Sequence, residues 1–356
     1  MASLSAWWSA LKQRFKRPAP PPAPLPQPLS APPPPILGAG RIRAALALQG
    51  GGAHGAFTWG VLEALLGDDR LDIIAVSGAS AGAMNGAMLL QGLATGGPDG
   101  ARDLLEAFWR RIAASSGAGT FAPSLFGRML GDWNVDHSLA ALAFEHAGRW
   151  VGPYDAQPAD FHPLRAVLTD IIDEPALRAA DAGFYVSATD VASGALRIFR
   201  RDEIGVDALL ASACLPNLFQ AVRVDGRDYW DGGYLANPAL FPLVENHPDA
   251  DLILVTVNPF DAPETPRRPD AIAARLAQIT FNAPLRRELQ GLHGAAGLRL
   301  HHIPAADALR QVGRYSKLSA DWGFLNWLRE LGRAAGADWL ARSADRLGVA
   351  SSLEAA

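Results

Sequence analysis

The order of apolar and polar positions divides the chain into zones. Residues 1–17 place Leu4, Trp7, Trp8, Leu11 and Phe15 at helical spacing, with Lys12, Arg14, Lys16 and Arg17 largely off that stripe. Residues 18–40 hold eleven of the chain's 27 prolines and predict an extended polyproline spacer. From residue 41 the pattern alternates. Arg43–Leu48 is a short apolar run of strand type, Gly55–Leu66 a helix closing near Gly67, Asp72–Val76 a second strand and Ala81–Leu90 a second apolar helix. Helical material fills much of 101–180. Phe184–Thr189 and Leu196–Phe199 read as strands, Val222–Val224 and Arg227–Trp230 as a hairpin around Asp225-Gly226, and Leu252–Val257 as a buried strand. The stretch after Pro269 is mainly helical. Such alternation predicts an α/β protein of three layers, α/β/α, with a mostly parallel central sheet. The expected organisation is a core over 41–262 and a helical C-terminal part, 263–356, packed on it.

Composition narrows the function classes. Acidic and basic side chains nearly balance at a formal charge of −4, without the basic surplus of a nucleic-acid binder. Cys214 is the single cysteine, so no internal disulfide can form and CxxC motifs are absent. No HExxH or comparable spacing calls for a metal, and no cofactor is expected. No apolar run approaches the roughly 20 residues of a membrane-spanning helix. Near the N-terminus the Trp7-Trp8 pair precedes the charges and no long apolar stretch follows, which is not the order of a secretory signal. A soluble protein of the cytoplasm is the expectation. The apolar face and basic residues of 1–17 would suit a peripheral contact with the inner face of an anionic membrane, or a protein partner. Oligomeric state is not legible.

Three motifs carry chemistry. Gly50-Gly51-Gly52-Ala53-His54-Gly55 follows a strand and opens a helix, so its backbone N–H groups and the helix N-terminus can converge on an anion. Gly50, Gly52 and Gly55 also satisfy the GxGxxG dinucleotide pattern, but the second strand ends in Val76-Ser77-Gly78, not in the acid that would hold a ribose. Gly78-Ala79-Ser80-Ala81-Gly82 is a GxSxG pentapeptide between strand and helix, the setting of a nucleophile elbow. Asp231-Gly232-Gly233 alone is an ordinary turn former. Its interest is that a serine hydroxyl needs a base, either a carboxylate directly or a histidine backed by one.

In this order and context the motifs resemble those of the patatin-like phospholipase family. Ala211-Ser212-Ala213-Cys214-Leu215-Pro216 with Phe219, and Ser187-Ala188-Thr189-Asp190, are similar to further family segments, and the likeness covers about residues 43–245. The resemblance implies a serine lipid acyl hydrolase with Ser80 as nucleophile and Asp231 as sole base. It also implies an oxyanion hole from Gly50, Gly51, Gly52 and Ala53, supported by Gly55, Gly78, Gly82, Gly232 and Gly233. The implied substrate is a lipid ester, phospholipid or neutral acylglycerol, without calcium. One departure is His54, where the family commonly carries Arg or Lys; a neutral imidazole there would give the oxyanion little electrostatic help.

Two rivals stay open. His247, His293, His301 and His302 follow Asp231 in the chain order of a Ser-Asp-His esterase, although no motif surrounds any of them. A non-catalytic dinucleotide-binding protein is the other. His54 reads as a helix-opening residue and Cys214 as a core residue. Trp322, Leu325, Leu328 and Leu331 form a stripe of core packing, and Asp132, Asp136 and Glu145 have no evident partner.

Overall fold

The computed structural model describes residues 40–115, 133–136, 151–158, 161–262, 264–292, 295, 297–305, 309–310, 312–313, 315–343 and 345–353. The two N-terminal zones up to residue 39, together with Asp132, Glu145 and His293, lie outside the described residues.

Eight strands form one sheet: β1 (Ile42–Leu48), β2 (Leu71–Gly78), β3 (Gly183–Asp190), β4 (Leu196–Arg200), β5 (Val222–Val224), β6 (Arg227–Asp231), β7 (Asp251–Thr256) and β8 (Arg299–Pro304). Their order is β5-β6-β3-β2-β1-β7-β8, with β4 also paired to β3. The run β3-β2-β1-β7-β8 is parallel, while β4, β5 and β6 enter antiparallel. Central strands covered on both faces must be apolar throughout. β7 is buried at every position, and β1 from Ala44 onward. Asp225 and Gly226, with φ of 49° and 78°, make the tight β5–β6 turn, a conformation an Asp-Gly pair accommodates.

The helices relevant below are α1 (Gly55–Leu65), α2 (Ala81–Ser115), α3 (Val206–Ser212), α4 (Pro269–Leu292) and α5 (Trp322–Ser343). The apolar run 81–90 is only the start of α2, which continues past a kink where Gly97 sits at φ 63° before Pro98. The helical reading after Pro269 holds for α4 and α5, but β8 lies between them as a full sheet strand.

α5 and α1 cross in backbone contact. A Cβ on Gly60 would overlap the Arg329 carbonyl, and one on Gly332 the carbonyl of Phe57. Around the crossing Leu325 and Leu328 are fully buried, as their spacing predicts. Arg329 lies 4.3 Å over the Trp59 ring and pairs with Glu63 at 2.7 Å. Because α1 begins where the glycine loop ends, this crossing fixes the loop from behind.

Candidate active site

The three motifs meet at one edge of the sheet. The glycine loop leaves β1, the elbow leaves β2, and Val257-Asn258 leave β7, so all occupy the C-terminal ends of parallel strands, where α/β sheets form their clefts. With Asp231 they line one cavity of about 440 Å³, to which α4 contributes Ala274, Gln278 and Phe281.

Ser80 has φ 52°, the left-handed region that a non-glycine residue enters only at a cost of about 1–3 kcal/mol. The turn is enforced by its neighbours. Gly78 packs on the first turn of α2, where a Cβ would stand 2.6 Å from Ala83 N, and a Cβ on Gly82 would overlap the Leu48 carbonyl. Ser212, at the end of α3, accepts the Ser80 N–H on its Oγ at 2.9 Å. Two residues later the Cys214 carbonyl accepts the Asp231 N–H at 2.8 Å. The Ala211–Pro216 segment is therefore the brace that sets nucleophile elbow and carboxylate relative to each other.

Asp231 ends β6, opposite Ala188 of β3, and is almost fully buried. Its Oδ1 accepts the Gly233 N–H at 2.7 Å, and the Thr189 hydroxyl donates to its carbonyl at 2.9 Å. Gly232 lies against β3, where a Cβ would overlap the Ser187 carbonyl. Burial pushes the Asp231 carboxyl up to about 7, against the opposing pull of the Gly233 N–H, a hydrogen bond from Ser80 and the charge of Lys317. A carboxylate balanced near neutrality, beside a serine, can take up and return a proton. Cys214 is no rival nucleophile: it is buried, donates to the Gln220 carbonyl at 3.0 Å, and burial raises its thiol to about 12.

One expected donor is not free. The Gly50 N–H is spent on Asn237 Oδ1 at 2.8 Å, while its carbonyl accepts from Asn258 Nδ2 at 3.1 Å. What demands glycine at position 50 is space, since a Cβ would stand 2.6 Å from Ala79 O and 2.9 Å from Ser80 Cβ. The four expected donors narrow to Gly51, Gly52 and Ala53. Gly55 opens α1 against Ala81, where a Cβ would come within 2.7 Å of the alanine Cβ.

Several site residues carry no sequence signal. Gln49 accepts the Val257 and Asn258 N–H groups at 2.9 and 2.8 Å and donates to Asn282 of α4 at 2.9 Å. Asn282 in turn donates to the Pro259 carbonyl at 2.9 Å. This buried amide network ties the glycine loop, the end of β7 and α4 together. The only hint was position, because Gln49 precedes the glycines and Asn237 and Asn258 each precede a proline. Lys317 enters the cavity from the turn Tyr315–Leu318 and donates to Asn258 Oδ1 at 2.6 Å.

His54 is buried beside that turn. Ser316 gives its only hydroxyl proton to the Gly313 carbonyl at 2.6 Å, so the 2.8 Å contact with His54 must be donated by the imidazole Nε2–H. His54 Nδ1 has no partner among the described residues. A second proton there would be buried unpaired, and burial followed by the Lys317 charge holds the imidazole well below its ordinary pKa. His54 is neutral and serves as a clamp.

The described candidates for a histidine base are elsewhere. His301, in the first half of β8, pairs at 3.1 Å with Asp251, which opens β7 at the end remote from the glycine loop, and contacts Ser352 at 2.9 Å. His302 contacts Thr256 Oγ1 at 2.8 Å, and His247 lies 3.4 Å from the Tyr185 hydroxyl. None of the three lines the cavity. Asp136 does line it, and its Oδ1 accepts the Tyr315 N–H at 2.8 Å.

A strand–elbow–helix serine, a buried carboxylate and a glycine loop in one cavity of an α/β sheet define an acyl hydrolase. Residues 46–244 match the family of patatin-like phospholipases, more than half of the chain, and the chain belongs to that family. It is thus a lipid acyl hydrolase, and the dinucleotide-binding reading falls. Comparison with curated proteins returns no match. Among solved structures the chain is similar to VipD from Legionella pneumophila, at 15% identity and TM-score 0.37, over 83% of this chain and 67% of that one. It is also similar to ExoU of Pseudomonas aeruginosa in its heterodimer with SpcU, at 17% identity and TM-score 0.36, over 86% of this chain and 52% of that one. The chain thus spans about half the length of ExoU.

Proposed function

We propose that the chain cleaves the fatty-acyl ester bonds of phospholipids or neutral acylglycerols with a Ser80–Asp231 dyad. The observation that carries this reading is the strained elbow serine beside a buried carboxyl raised to about 7. Ser80 Oγ attacks the ester carbonyl carbon while its proton passes to Asp231. The carbonyl oxygen becomes an oxyanion, received by the N–H groups of Gly51, Gly52 and Ala53. Loss of one donor from such a hole typically costs about 2.7–4 kcal/mol of transition-state stabilisation. Collapse breaks the ester C–O bond, and the departing alcohol takes the proton back from Asp231. Water then gives a proton to Asp231 and attacks the acyl-serine, which releases the fatty acid and returns that proton to Ser80.

Support for a carboxylate acting alone comes from His247, His301 and His302, each hydrogen-bonded to another residue and none lining the cavity. The test is a fluorophosphonate probe together with turnover of a p-nitrophenyl fatty-acyl ester. Wild type should label at Ser80 and turn over, and a folded Ser80→Ala variant should do neither. Turnover by that variant near the wild-type rate would refute the reading.

A further inference from the structure

The family match ends at residue 244, yet the cavity contains a cation from beyond it. We propose that Lys317 is the positive charge of the oxyanion site, held against the glycine loop by its own turn and filling the electrostatic role that a neutral His54 cannot. The inference rests on the Ser80–Asp231 reading and adds a residue to it.

Geometry gives Lys317 its place. Its turn is docked on the glycine loop twice, through the His54–Ser316 hydrogen bond and through Gly52, whose φ of 60° lets the loop pass so close to the Lys317 carbonyl that a Cβ would overlap it. The Nζ is aimed by Asn258, whose own amide holds the Gly50 carbonyl. A lysine that serves structure alone is normally neutralised by a carboxylate. Among the described residues Lys317 has no ion pair, and one of its three N–H groups is used, on an amide oxygen.

Charge movement explains why a cation there would speed the reaction. Before attack the negative charge sits on Asp231, which the Lys317 charge favours without forming an ion pair with it. In the tetrahedral intermediate Asp231 carries the proton and the charge has moved to the oxyanion at the glycine loop, where the Lys317 turn is docked. A cation on that side stabilises the intermediate more than the ground state, which is what lowers a barrier.

The same arrangement sets a pH window. Burial pulls the Lys317 ammonium down to about 8, with the Asp231 charge acting in the opposite direction. Among the described residues, the other titratable or charged groups facing the cavity are neutral His54, Asp136 with its bond to Tyr315, and Glu264, Arg275 and Arg310. Asp231 works as a base when ionised, above about 7, and Lys317 as a cation below about 8, so the rate should trace a narrow bell.

The experiment is the pH profile of kcat and KM for a soluble fatty-acyl ester, measured on the full chain with Lys317→Met and Lys317→Arg. Lys317→Met should lower kcat about ten-fold or more, leave KM within about two-fold, lose the alkaline limb and move the acid limb upward. Lys317→Arg should recover most of kcat and keep activity at alkaline pH, because a guanidinium does not titrate there. Wild-type kcat in Lys317→Met, a loss confined to KM, or an unmoved alkaline limb would overturn the proposal. Should Lys317→Met not fold, the alkaline limb of Lys317→Arg decides: its persistence at the wild-type position overturns the proposal. Fluorophosphonate labelling of wild-type Ser80 is the separate control, and only its failure counts against the dyad.

Discussion

Asp231 should cost the protein stability at the pH where it works, and Asp231→Asn exposes that cost. The native carboxyl is raised from 3.8 to about 7, so between these values the folded state holds a proton that the unfolded chain has released. Stability therefore falls as pH rises through this interval and levels off above about 7. At 1.36 kcal/mol per pH decade, the ionised carboxylate destabilises the fold by about 4 kcal/mol relative to the protonated one. Asparagine does not titrate and retains a carbonyl oxygen for the Gly233 N–H. Urea unfolding of the two proteins at pH 5, 6, 7 and 8 should give a stability difference that grows in favour of Asp231→Asn by up to about 1.4 kcal/mol per pH unit, then plateaus. Ester turnover should drop by orders of magnitude in the same variant, since the amide cannot accept the serine proton. A difference that stays flat with pH, or an Asp231→Asn protein less stable than wild type at pH 8, would refute the argument that burial dominates this group.

The histidines and the helix crossing allow further tests. Single replacement of His247, His301 or His302 by glutamine should leave ester turnover within about three-fold, whereas loss of Ser80 or Asp231 should cost orders of magnitude if the proposed dyad holds; His301→Ala should also lower unfolding stability by about 3 kcal/mol, because it removes a partner of the buried Asp251. Gly60→Ala would drive a methyl into the Arg329 carbonyl and within 2.7 Å of Arg333 N, and should cost about 3 kcal/mol or more, seen as a lowered thermal midpoint.

How far the sequence could be read depended on the range of each interaction. Strands such as β1 and β7 are legible because each is a continuous apolar run, and the Asp225-Gly226 turn because its chemistry is local. Ser80 was legible for the same reason: the small residues that allow its φ surround it in sequence. Gly50 marks the limit of such reading, because a glycine needed for close approach and one offering an N–H look identical in a string. The partner that takes its N–H, Asn237, lies 187 residues away. Lys317 was invisible, as nothing near it marks a site and its meaning comes entirely from the turn that lands on Gly52. β8 follows a long helix and carries Arg299, His301 and His302 among its six residues, so it lacks the continuous apolar run that marks β1 and β7.

The crossing of α1 and α5 bears on how such a chain can change over generations. Gly60 and Gly332 each accept a foreign carbonyl where a side chain would stand, so the two helices have no independent freedom to vary. A larger residue on either helix is tolerable only if the other retreats, and retreat of α1 would drag the glycine loop from the elbow. The stretch that identifies the family ends at 244, but α5, which braces that loop, begins at Trp322. A recombination that exchanged one part without the other would pair helices never fitted together and leave Trp59, Leu325 and Leu328 facing a mismatched surface. The recognisable segment and the helix that braces it are thus expected to descend as a single heritable unit.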